Sequence, residues 1–218
     1  MSQFLPSLTD LLLTILAIVP AMCIHEYAHG WVSYKLGDPS PKYDGRLSLN
    51  PMHHIDPIGA LFLVIFNFGW AKPVQVNPAY YKDPKKGMAL VALAGPLANF
   101  ILALICLIIT NAIVAVSGGH VGIVVYYIYQ FFMLSAMVNV GLGVFNLIPL
   151  PPLDGSKVIA MFLPTRWYIK YLQLEQWGFV LLFLLLAVGV FSGPLYTLRN
   201  GMMSYLNFVA SALTSFLA

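Results

Sequence analysis

Charge is the first thing this chain lacks. Only 9% of its 218 residues are Asp, Glu, Lys or Arg, against 60% that are hydrophobic, whereas a soluble domain carries about 25% charged residues. That shortage excludes a water-soluble globular protein, and the chain reads as an integral membrane protein. The 11 Lys and Arg residues form no basic block, which excludes a nucleic-acid-binding surface. Cysteine is scarcer still. Cys23 and Cys106 sit far apart in apolar runs, so neither a disulfide framework nor a thiolate zinc site is expected, and both read as small buried residues. No Lys or Arg precedes the first apolar run, so a cleavable signal peptide is not expected. Nor does an internal repeat suggest a duplicated transporter.

Long apolar runs are what the chain has instead. A helix needs about 20 apolar residues to cross the hydrocarbon core of a bilayer. By that measure spans are expected at about 8–34, 87–116, 122–147 and 176–191, with 202–217 either a fifth span or an interfacial helix. The run 57–70 is too short to cross and reads as a re-entrant or membrane-surface element. Residues 71–77 mix β-formers with Pro and suggest a short edge strand or loop. The expected fold class is therefore an all-α integral membrane protein. It is a polytopic helical bundle of four to five spans plus a re-entrant segment and a short β element. One domain covers 1–218, with its core at 8–155 and C-terminal helices at 156–218. Under this topology every Lys and Arg except Arg199 falls on one face. The positive-inside rule makes that face cytoplasmic and puts the N-terminus outside.

Against that background the stretch "AMCIHEYAHGW" stands out. It places His25, Glu26 and His29 inside an apolar helix, where ionisable groups are costly, so a packing-only reading has to meet that cost. His25 and His29 are four residues apart and lie about 40° apart around a helix axis, on one face. Two imidazoles so placed can hold one Zn²⁺, and Glu26, off that face, can take a proton from water. A catalytic zinc takes three protein ligands. Asp44, His53, His54, Asp56 and Asp154 are the candidates for the third, and Asp154 is preferred. Pro149, Pro151 and Pro152 end the helix before it, Gly155 permits a close approach, and the topology brings it to the same end of the bundle as His25 and His29. A turn or N-cap role is the plainer account of Asp154. The alternative reading of the whole set is a membrane metal-ion or proton transporter, because intramembrane charges also mark ion pathways.

"HEYAH", "AGPLAN" and "NLIPLPPLDG" in successive apolar segments, with "GRLSLNPMHHIDPIG" and "GWAKPVQVNP" between them, resemble the site-2 protease family of intramembrane zinc metalloproteases. The likeness is to its short bacterial and archaeal type without PDZ or CBS domains. It covers most of 23–155; beyond that only a hydrophobic tail is shared. The resemblance implies a zinc-dependent endopeptidase that cleaves transmembrane segments, in regulated intramembrane proteolysis or in processing of signal-peptide remnants. It implies His25, His29 and Asp154 as ligands of one zinc ion, and Glu26 as general base and later acid. Asn146 would contact the substrate, with an interhelical hydrogen bond as the competing account. Asn99, His54 and Asp56 could support the ligands from behind; a helix contact for Asn99 and a surface loop for the other two are the plainer readings. The expected partner is the transmembrane helix of a membrane protein, within the lipid bilayer of a prokaryotic cytoplasmic membrane, with the site towards the cytoplasm. The sequence leaves a homo-oligomer open. An unwound substrate stretch is expected to pair with 71–77 by strand addition.

Overall fold

The computed structural model describes residues 8–59, 70–117 and 122–217. The expected re-entrant element at 57–70 lies almost wholly outside the described residues. The first apolar run forms helix α1, Leu8–Lys35. Its internal Pro20 removes one main-chain donor, which a membrane helix tolerates where neighbours re-satisfy the backbone. A single turn, α2, follows at Ser40–Tyr43. Helix α3, Pro84–Ser117, begins on a proline whose missing N–H costs nothing at a helix start. The Asp83 carboxylate there accepts the Lys85 and Lys86 N–H groups at 3.1 and 3.2 Å. Helix α4 spans Ile123–Asn146 and α5 spans Asp154–Ala160. Helices α6, α7 and α8 occupy Thr165–Gln173, Glu175–Ala187 and Ser192–Thr214.

Helix α3 is the central post, with α1, α4, α5 and α8 packed around it. The contacts are built from small and branched residues. Ala103, Leu107, Ala136, Val140 and Ala210 are fully buried, which lets backbones approach closely where no hydrophobic effect drives helices together in lipid. The outward faces stay apolar: Leu16, Leu97, Ile101, Val124 and Phe208 are more than half exposed. A surface of that kind belongs in hydrocarbon.

Helices α1, α3 and α4 are long and apolar enough to cross a membrane. The span expected at 176–191 does not form as one long helix. Helix α7 has 13 residues, about 20 Å of rise against a hydrocarbon core of about 30 Å, and it meets α8 at a 90° bend. The bent pair makes a fourth crossing at most, and α8 is the part that packs along α3 and α4. Arg199 lies on α8, lining a cavity of about 350 Å³ together with Val144 and Phe145 at the C-terminal end of α4.

The short β element is also corrected. Among the described residues no strand forms; a lone antiparallel bridge joins Ile55 to Ala71, with the Lys72 N–H on the His54 carbonyl at 2.8 Å. Residues 72–77 run as irregular backbone. Pro73 and Pro78 have no N–H to give a ladder, and side chains, described below, take up the groups that remain.

Candidate metal centre

Helix α1 presents His25 and His29 on the face that packs against α3. Both are buried, at 6% and 8% exposure. Asp154, at 8%, reaches them from the first turn of α5, where the chain has left the helical course of α4. A Cβ on Gly155 would overlap the Leu147 carbonyl, so only glycine lets the start of α5 fold back on the end of α4. The His25 and His29 Nε2 atoms are 3.0 Å apart, and the Asp154 Oδ2 lies 3.1 Å from the first and 3.2 Å from the second.

Hydrogen bonds behind the rings settle which nitrogen carries a proton. His29 Nδ1 is 2.7 Å from the Val91 carbonyl, which can only accept, so Nδ1 donates. His25 Nδ1 is 2.7 Å from Asn99 Oδ1. The orientation of Asn99 follows from its other contacts: its Nδ2 gives one proton to the Ala21 carbonyl at 3.1 Å and one to Asn139 Oδ1 at 2.8 Å. Asn139 in turn donates to the Ser135 carbonyl of its own helix at 2.8 Å. Asn99 and Asn139 are both fully buried, and the network joins three helices. In its neutral form, each imidazole so held directs its Nε2 lone pair at the other ring and at a carboxylate oxygen.

Three lone pairs converging on one point repel unless a proton or cation sits among them. The donor set answers which. Zinc–nitrogen and zinc–oxygen distances near 2.0–2.1 Å give a tetrahedral edge of about 3.3 Å, close to the three separations here. His25, His29 and Asp154 form the one such group of three or more His, Cys, Asp or Glu among the described residues. Gly95 completes the fit. A Cβ there would come within 2.5 Å of His29 Nε2 and 2.6 Å of His25 Cε1, so a bare α3 backbone walls the site. The residues present fit a single divalent ion of the zinc type.

Glu26 lies off the ligand face, half-buried, and its Oε2 accepts the Val74 N–H at 2.9 Å. Asn146 closes α4, where its Nδ2 donates to the Leu142 carbonyl of the same helix at 3.0 Å. His54 is 1% exposed but is not brought to the three ligands; its Nε2 lies 2.6 Å from the Ser48 carbonyl. Asp56 caps the turn after it, accepting the Ile58 and Gly59 N–H groups at 2.9 and 2.8 Å. His53 faces the Gly45 carbonyl at 2.7 Å. Sequence reasoning missed Asn139, which carried the signal that flagged Asn99: an amide in an apolar span. It also missed Val91, whose contribution is a main-chain carbonyl and leaves no mark in the sequence.

A profile of peptidase family M50 matches residues 13–189. The chain belongs to peptidase family M50, the site-2 proteases. Among curated proteins, this family member is similar to "Putative zinc metalloprotease YwhC" of Bacillus subtilis, 36% identical over 186 residues that make up 85% of each chain. It is similar to "Putative zinc metalloprotease Rip2" of Mycolicibacterium smegmatis, 27% identical over 217 residues, 94% of this chain and 80% of the relative. It also matches "Zinc metalloprotease MJ0392" of Methanocaldococcus jannaschii, 27% identical over 151 residues, 69% of this chain and 34% of the relative. No solved structure matches the M50 chain.

Proposed function

We propose that this M50 protein is a zinc-dependent intramembrane endopeptidase that cleaves transmembrane segments of other membrane proteins near the cytoplasmic face of a prokaryotic cell membrane. The observation that carries the reading is the convergence of His25, His29 and Asp154 within 3.0–3.2 Å, next to a glutamate on the same helix. His25, His29 and Asp154 would hold one zinc ion. When bound, zinc supplies Lewis acidity towards the attacking water and the scissile carbonyl.

The chain's own groups do the rest. Glu26 adjoins a ligand yet points off the ligand face, so its carboxylate accepts the proton of the attacking water and later returns it to the leaving amine. Asn99 holds His25 as the Nδ1–H form, keeping its Nε2 a ligand. Asn146 is assigned to the substrate. In support, its amide nitrogen meets its own helix and, among the described residues, no other helix. Water reaches the site from the end of the bundle that carries the basic residues, which the positive-inside rule makes cytoplasmic. The transporter alternative has less behind it, because among the described residues no second group that could hold an ion continues a path.

Glu26→Gln tests the reading. A labelled transmembrane peptide in liposomes should be cut by the native protein and spared after chelation. The variant should cleave at least about 100-fold more slowly while keeping its zinc. Full activity in Glu26→Gln would remove the glutamate from the mechanism. Zinc uptake into sealed vesicles without peptide cleavage would favour transport.

A further inference from the structure

The carboxylate proposed as general base is held by a loop with no regular secondary structure. A glutamate side chain has several rotatable bonds, yet a base must come within about 2.6–3.2 Å of the proton it takes. The Val74 amide, which has no rotamers, engages one Glu26 oxygen at 2.9 Å and leaves the other for water. That amide is only as well placed as residues 72–77, which carry it.

Two buried charged side chains place those residues. Arg46, 6% exposed, donates to the carbonyls of His53, Lys72 and Pro73, the last two at 3.3 and 3.5 Å. Among the described residues it meets no carboxylate, so its charge is solvated by main-chain oxygens. A planar fork can serve three carbonyls at once, which a lysine ammonium on a flexible stem does poorly. At the far end, Asp38, fully buried, accepts the Asn77 N–H at 2.7 Å, the Ser33 hydroxyl at 2.8 Å and the Ser40 N–H at 3.0 Å. Ser33 stands one turn past His29 on α1. Arg46 thus ties the segment at 72–73 and Asp38 ties it at 77, with Val74 between. The Val74 side chain also lies beside Gly30 of α1. Burying two charges is costly unless each is fully engaged, and a mere connection between α2 and α3 would require neither.

We infer that Arg46 and Asp38 are positioning residues for Glu26, acting through the Val74 amide. The motifs "GRLSLNP" and "KPVQVNP" then form one device that aims the base. This rests on the proteolytic reading of Glu26, and the experiment separates the two. Full-length protein in lipid nanodiscs is loaded with zinc and compared with Asp38→Asn, Arg46→Lys and Glu26→Ala. Amide hydrogen exchange over 72–77, zinc stoichiometry, and kcat and KM per bound zinc on a labelled transmembrane peptide are measured. All three variants should raise exchange over 72–77, including Glu26→Ala, which touches neither tie. Asp38→Asn and Arg46→Lys should retain zinc and lower kcat about 10- to 100-fold, with KM unchanged. Exchange unaltered in Glu26→Ala would overturn the inference. So would native kcat in both tie variants, or loss of zinc in them, which marks a merely structural role. The exchange arm needs no cleavage, so a native protein that cuts nothing strikes the proteolytic reading alone.

Discussion

Asn99 decides which way round His25 can work. Its amide protons are committed to the Ala21 carbonyl and to Asn139, so the oxygen facing His25 must accept and the tautomer that leaves Nε2 free to bind a metal is the one favoured. Supports of this kind are worth about 10- to 100-fold in metal affinity. Asn99→Leu should weaken zinc binding by about that factor in competition with a chromophoric chelator, whereas Asn99→Asp, which keeps the accepting oxygen, should stay nearer the native value. Equal affinities in all three proteins would reduce Asn99 to a helix contact. The amide was legible as an anomaly in an apolar helix; its partner was not, because a residue 74 positions away in sequence is reached only through packing. His54 and Asp56 show the converse. Their residue types suit a metal site, but their contacts are to nearby main chain.

At the scale of elements, what separates expectation from outcome is where backbone groups find partners. Residues 71–77 alternate like a strand, but their amides and carbonyls are met by Glu26, Arg46 and Asp38. Strand addition at Val74 would therefore compete with the glutamate for the same N–H. Asp38 gives this docking a pH dependence. Burial pushes its carboxyl up, but hydrogen bonds from Ser40, Asn77 and Ser33 outweigh that and hold it below the usual value of 3.8. The titratable group beside it is the Tyr81 phenol, which shares Ser33 and which burial pushes above 10.0, so it stays neutral in acid. A carboxylate with a depressed folded pKa stabilises above its unfolded pKa, and that gain fades as pH falls through the folded value. The native protein in detergent should melt above Asp38→Asn at pH 7, and the gap should close below pH 3.8. A gap that persists in strong acid would exclude the carboxylate as its source.

The whole molecule adds orientation. With Arg199 beside Val144 and Phe145 near the C-terminal end of α4, this residue is expected on the same side of the membrane as Lys35 at the C-terminal end of α1. A cysteine at Arg199→Cys should then react with a membrane-impermeant thiol reagent from the same side as Lys35→Cys and the opposite side from Ser117→Cys. The two native cysteines are buried and should stay silent. Labelling of position 199 from the Ser117 side would mean that α7 crosses the bilayer after all. Hydropathy placed a span there because it registers how strongly a run prefers lipid, not the direction it takes; a 90° bend leaves apolarity unchanged.

The membrane-protein character, three helices long and apolar enough to cross a bilayer, the paired imidazoles and the neighbouring glutamate were written in the sequence, because each depends on local composition or on helical periodicity alone. The convergence of Asp154 on those imidazoles, the Asn139–Asn99–His25 chain and the two ties on residues 72–77 were decided only by tertiary structure. They join positions 26 to 129 residues apart in sequence, and no local preference specifies a distance of that kind. It is set by how closely α1 and α4 can approach α3, down to the absence of a Cβ at Gly95.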